Sequence, residues 1–325
     1  MKLLHRLTLA LGIALLAVLL WKMGPVALGQ NLLLLGRFWV PLIFVEGLGE
    51  ACHATGWRYC LSGGHQRLSW LRVAMIRQAG MAFNYLTPTV HLGGELIKGT
   101  LLGRDGEAVE AATAVIVGKL ALVLSQLLLV TIASATALWM ISLPLHLWLG
   151  WALGTSAFFA GIVSFFLLQR HGKLGAVIRA AQRIGLRGKR IKAMAGWLSA
   201  VDQGLCEFHK ERPGDLARAL SWHILGYSCG LLQTWLFLSW AGHEPLWRIG
   251  AVIWALGAWF DLVGFVVPAG IGVQEGSRVL AFHAVGFDSL GGLTFGVVQR
   301  LTKAFWALVG LACYGLLIRD REDTG

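Results

Sequence analysis

Residues 84–99, NYLTPTVHLGGELIKG, and residues 263–279, VGFVVPAGIGVQEGSRV, are the stretches whose reading settles the fold class. Each lies inside a long apolar region, about 70 to 103 in one case and 249 to 284 in the other, and each interrupts it with proline and glycine. Proline removes a backbone donor and glycine loosens a helix, so each region reads as two half-helices joined at a break. In hydrocarbon such a break persists only where protein or a watery cavity satisfies the freed backbone groups. Both regions are therefore expected to be re-entrant helical hairpins of a membrane protein.

The two breaks also match each other. Pro88 is followed seven residues later by Glu95 and three after that by Lys98, and Pro268 is followed at the same distances by Glu275 and Arg278. A basic residue then recurs in the next apolar stretch, Lys119 at 24 residues past Glu95 and Arg300 at 25 past Glu275. Self-similarity of this kind predicts a duplication with copies offset by 180 residues. Three apolar stretches separate the hairpins, and an odd number of crossings inverts the second copy relative to the first. Inverted repeats whose interrupted helices meet near the midplane are a transporter architecture, with the site at the breaks. That analogy concerns the fold and does not establish the activity.

Working outward, the whole chain is apolar. Its 325 residues are 56% hydrophobic and only 14% charged, with 15 Trp and a mean hydropathy of +0.66, more apolar sequence than one water-soluble core could hide. Stretches at about 7 to 21, 38 to 56, 111 to 139, 147 to 168, 216 to 240 and 291 to 317 can each cross the bilayer. The expectation is an all-α polytopic protein, a single transmembrane domain of about six spans plus two inverted re-entrant hairpins, with repeat cores at 70–140 and 249–317. The first stretch could instead be a signal peptide, but Lys22 stands where a cleavage region should be neutral and small. The net charge of +11 fits loops that collect Lys and Arg better than it fits nucleic-acid binding. The five cysteines are scattered without a metal spacing, so no disulfide framework, metal or other cofactor is expected.

Basic residues test the layout. Twenty of the 28 Lys and Arg, Arg72 and Arg77 among them, fall on the side that holds the N-terminus; Lys22 and Arg248 fall on the other. Both termini are thus expected in the cytoplasm, with the chain multi-pass in a bacterial inner membrane. Residues 170–192, the basic core of a cytoplasmic segment at about 170–215, hold eight basic and no acidic residues. They read either as a helix lying on an anionic leaflet or as an ordinary positive-inside loop.

Charge at the bilayer centre is costly, roughly 2.5–3.5 kcal/mol per ionised residue on insertion scales. Glu95, Lys98, Lys119, Glu275, Arg278 and Arg300 should therefore face one another or a hydrated cleft. They read either as charges that only neutralise each other and fix the fold, or as a set that leaves cations free for an anionic headgroup, with half-helix N-termini adding donors. No nucleophile accompanies the carboxylates, and no catalytic residue is assigned. An intramembrane lipid-modifying enzyme and a scaffold subunit stay as alternatives to a transporter. Glu46, Glu50 and His53 share one helix face and are expected to be solvated in the interface near Arg37, with a proton or cation site as the other reading. Asp261 is expected either at the second break or paired with Arg248 or a backbone donor. Gly118–Lys119 lacks the remainder of a P-loop, and GIGVQEG lacks dinucleotide-fingerprint spacing, so nucleotide coupling is not expected.

VVPAGIGVQEGSRVLAFHAVGF with VVQRLTKAF, and NYLTPTVHLGGELIKGTLLG before them, resemble the conserved blocks of the lysylphosphatidylglycerol synthase transmembrane-region family of flippase-like proteins. The length and the stretch WHILGYSCGLLQTWLFL look most like its hopanoid-biosynthesis-associated branch. The resemblance covers nearly the whole chain. It carries over Asn84, Pro88, Gly93, Gly94 and Glu95 at the first break and Pro268, Gly272, Glu275 and Arg300 at the second, and these with Gly270 and Gln274 of the same block and with Lys98, Lys119 and Arg278 are the substrate-binding candidates. Lys119 departs from the pattern expected there. Some family members add a soluble aminoacyltransferase domain, and this sequence ends at RDREDTG, so the resemblance implies lipid translocation rather than aminoacylation by this chain alone. The partners it implies are membrane lipids, with a second copy or lipid-biosynthesis enzymes as protein partners.

Overall fold

The computed structural model describes Trp21 and residues 25–61, 68–86, 93–103, 108–140, 145–170, 201–242, 247–263 and 271–322. The first apolar stretch up to residue 20, the basic run 171–192 and the breaks at Pro88, Pro268 and Gly270 lie outside these residues. Among the described residues the chain is all helical: α1 (Pro25–Leu35), α2 (Trp39–Tyr59), α3 (Trp70–Leu86), α4 (Gly93–Leu102), α5 (Ala108–Met140), α6 (Leu145–Arg170), α7 (Pro213–Trp240), α8 (Trp247–Val263), α9 (Val273–Ala284) and α10 (Ser289–Glu322). A 3₁₀ turn joins α1 to α2, and 201–211 is helical. Three stretches among the described residues are long and apolar enough to cross a membrane: Leu28–Tyr59, Ala108–Thr136 and Ser289–Asp320. Phe44, Leu149, Leu280 and Leu308 are exposed large apolar side chains, as lipid-facing residues must be.

Each interrupted region forms two helices that pack on each other, α3 with α4 and α8 with α9. The remaining contacts pair off reciprocally. α3 lies on α10 while α8 lies on α5, α4 touches α5 while α9 touches α10, and α2 meets α3 while α7 meets α8. α2 and α7 pack on one another along much of their length. Glycines bring them close, since a Cβ on Gly49 would sit 3.1 Å from the Gly226 carbonyl oxygen and one on Gly56 3.0 Å from that of Ala219.

Two apolar clusters sit at opposite ends of these helices. One gathers Trp57, Val73, Leu102, Val115, Leu205 and Ala219. The other gathers Leu35, Leu42, Phe237, Ile253, Phe282 and Phe295. Between Leu42 and Trp57 α2 carries Glu46, Glu50 and His53, and between Ala219 and Phe237 α7 carries His223, Tyr227 and Gln233. A polar layer is thus held between two greasy ones over about 22 Å of helix at 1.5 Å per residue. Beyond the first cluster, Arg212 donates to the carbonyls of Leu61 (2.6 Å) and Tyr59, and Arg72 pairs with Asp320 at 2.6 Å. At the other end Arg248 lies over the rings of Trp139 and Trp247.

Candidate functional site

The polar layer holds a partly open cavity of about 690 Å³ whose wall draws on α2, α3, α4, α5, α7, α8, α9 and α10. The first interrupted region contributes Asn84, Glu95 and Lys98, and Lys119 follows from α5. Asn84 organises this corner: its Oδ1 accepts from the Gly94 N–H at 2.8 Å, holding the start of α4 against α3, and its Nδ2 reaches Glu95 at 3.5 Å. Glu95 forms an ion pair with Lys98 and a second with Lys119 at 3.4 Å. Lys98 also lies over the Trp57 ring at 5.4 Å, and it passes where Gly80 has no side chain. One carboxylate therefore faces two ammonium groups, and the Lys119 side chain is 38% exposed.

The second interrupted region is built differently at the equivalent positions. Gly272 has φ +78°, a backbone conformation glycine adopts without steric cost, and its N–H donates to Glu275 Oε2 at 2.9 Å. Glu275 has no exposed surface and receives both Arg300 Nε and Nη2, the latter at 3.0 Å. Arg300 therefore joins α10 to the start of α9. Arg278 is held by Asp261, with Nη1 and Nη2 donating to its two oxygens at 3.2 and 2.8 Å, while Nε donates to Gln299 at 2.8 Å. Gly257 makes room for that guanidinium, for a Cβ there would lie 2.5 Å from Nη1. Gln274 and Arg278 line the cavity; Glu275 stands behind its wall.

Several placements differ from the sequence reading. Arg77, counted there with the cytoplasmic residues, lines the cavity and pairs with Glu50, because α3 turns that residue inward onto α2. Glu46, Glu50 and His53, expected in the solvated interface, line the same cavity, and His53 is buried. Asp261 pairs with Arg278, not with Arg248. Lys119, which broke the family pattern, takes the position toward Glu95 that Arg300 takes toward Glu275. Gly93 opens α4, while Pro88, Pro268 and Gly270 fall outside the described residues.

The sequence reading also missed the centre of the layer. His53 Nδ1 and His223 Nδ1 lie 3.0 Å apart across the α2–α7 crossing. His223 packs against Gly56 and His53 against Gly226. The signal was present as His-x-x-Gly in HATG, 53–56, and again in HILG, 223–226.

Charge on the wall does not balance. Glu46, Glu50, Glu95 and Asp261 stand against Arg77, Lys98, Lys119, Arg278 and Lys303, leaving one cation in excess with both histidines neutral. Among the described residues no cluster of three or more His, Cys, Asp or Glu could hold a metal ion.

A family model, Lysylphosphatidylglycerol synthase TM region, matches residues 7–311. The chain belongs to that family. Both interrupted regions and the whole cavity wall lie within the matched residues. Membership with long apolar helices makes it a membrane protein related to lipid metabolism. No curated protein and no solved structure matches the chain.

Proposed function

We propose that the protein is a flippase-like transporter of the bacterial inner membrane that moves an amphipathic lipid between leaflets, its headgroup crossing in the cavity while the acyl chains stay in hydrocarbon. The observation that carries this reading is a partly open cavity of about 690 Å³ with an excess cation, lying between two apolar layers of a membrane protein. Charge is costly at the bilayer centre, and a polar cavity there with a surplus cation suits a headgroup that must leave water. Lys98 and Lys119, sharing Glu95, offer the excess charge to a phosphate; Arg278 and Gln274 face it from the second repeat.

In this reading α2–α5 and α7–α10 are inverted copies, with α3–α4 and α8–α9 as the re-entrant hairpins, and both termini are cytoplasmic. The reciprocal packing of α3 on α10 and α8 on α5 supports it, as does the gathering of Arg72, Arg212 and Asp320 beyond one cluster and Arg248 beyond the other. Alternating access then amounts to one copy rocking against the other about the α2–α7 crossing.

Reconstitution tests this. Vesicles holding the full chain and phosphatidylglycerol with a fluorescent acyl chain should lose outer-leaflet and then inner-leaflet fluorescence to an impermeant quencher faster than protein-free vesicles. Replacing Lys98 and Lys119 together with Ala should slow that exchange about tenfold or more, the loss of one charge-assisted contact. Exchange no faster than in protein-free vesicles, for every phospholipid class supplied, ends the reading.

A further inference from the structure

We infer that His53 and His223 form a proton-binding site that fills when an anionic headgroup enters the cavity, so that the lipid and one proton are bound together. This rests on the cavity being the headgroup site. Three features make the pair a built site. The rings are joined Nδ1 to Nδ1 at 3.0 Å, both residues are buried, and each ring occupies space that a glycine of the opposite helix leaves open. A Cβ at Gly226 would lie 2.7 Å from His53 Cε1, and one at Gly56 2.9 Å from His223 Cε1, so the crossing is shaped around the imidazoles.

The hydrogen bond fixes how many protons the pair can take. In the neutral pair one Nδ1–H donates to the other Nδ1, the accepting ring carries its proton on Nε2, and the donating ring has a bare Nε2. One further proton goes to that bare nitrogen and leaves the shared bond intact. A second would put hydrogens on both facing Nδ1 atoms and break it. His223 Nε2 is buried without a hydrogen-bond partner, a group whose polarity the fold does not otherwise use.

The surroundings make the extra proton depend on the ligand. Arg77 from α3 and Lys98 from α4 line the same wall as the pair. Lys119 on α5 and Lys303 on α10 add to the same wall, with Arg278 on α9 held by Asp261 on α8. Glu50 is engaged by Arg77 and Glu95 by the two lysines, while Glu46, Tyr227 and Cys229 complete the ionisable groups that α2 and α7 place on the cavity wall, and Tyr85 adds one from α3. With one cation already in excess, another positive charge is opposed. A phosphodiester beside Lys98 and Lys119 removes that excess, and by linkage the proton then strengthens lipid binding as much as the lipid strengthens proton binding.

The test is proton uptake. Full-length protein in a neutral detergent, in weak buffer with a pH indicator, is mixed with dioctanoyl phosphatidylglycerol while binding is followed in parallel by tryptophan fluorescence. The wild type should take up about one proton per lipid bound, and its affinity should rise as pH falls. His53→Gln and His223→Gln should each bind the lipid with less than about a fifth of that uptake and lose the pH dependence. Asp320→Asn, at an exposed ion pair far from the layer, should behave as wild type. Lipid binding without proton uptake in the wild type overturns the proposal, as does undiminished uptake in both histidine variants or failure to bind the lipid at any pH. Protein that takes up the proton yet exchanges no lipid in vesicles upholds this site and ends the transport reading.

Discussion

Glu275 lies wholly inside the protein and serves two partners, the N–H of Gly272 and the guanidinium of Arg300. Replacing it with Ala takes the carboxylate from a half-buried guanidinium and leaves a helix start uncapped, a combination that should cost about 1–3 kcal/mol. Thermal unfolding in detergent should show the loss, and the double variant Glu275→Ala with Arg300→Met should be more stable than the single one, because the stranded charge is gone. Gly226→Ala is a second residue-level case. Its Cβ would meet three atoms of the His53 ring at 2.7–2.9 Å, and overpacking of that kind should cost about 1–3 kcal/mol. At this scale the sequence showed which residues were unusual, since charge and glycine in an apolar run are conspicuous. It did not show that Glu95 and Glu275 would differ, the one on the cavity wall and the other behind it.

Among the elements, α3 and α10 form one of the closest unions in the molecule. Gln78 donates to the Trp306 carbonyl at 2.9 Å, and a Cβ on Gly310 would come within 2.8 Å of that of Ala82. Gly310→Val should therefore push the first hairpin off the long helix, lowering the unfolding midpoint by roughly 2–8 °C as read by differential scanning fluorimetry. The interruptions that separate α3 from α4 and α8 from α9 were legible, because proline and glycine act on their own backbone wherever they stand. The α2–α7 crossing was not. It depends on Gly49, Gly56 and Gly226 meeting across roughly 170 residues of chain, and local periodicity holds no information about such a meeting.

Across the whole molecule the layout predicts topology. A cytoplasm-active fluorescent reporter fused after the last residue should light up in cells, and a periplasm-active phosphatase at the same place should stay silent; the reverse pattern would overturn the proposed orientation. Composition and charge placement already determined that the chain enters a membrane, that two apolar regions are broken, and that ionisable groups recur around the breaks, because hydrophobic partition and backbone chemistry are local properties of residues. Only the folded chain decided which charges neutralise one another, that Arg77 and Glu50 turn inward, and that two histidines meet at the centre. Partner choice is a matter of distance in space, and several helices must pack before those distances exist.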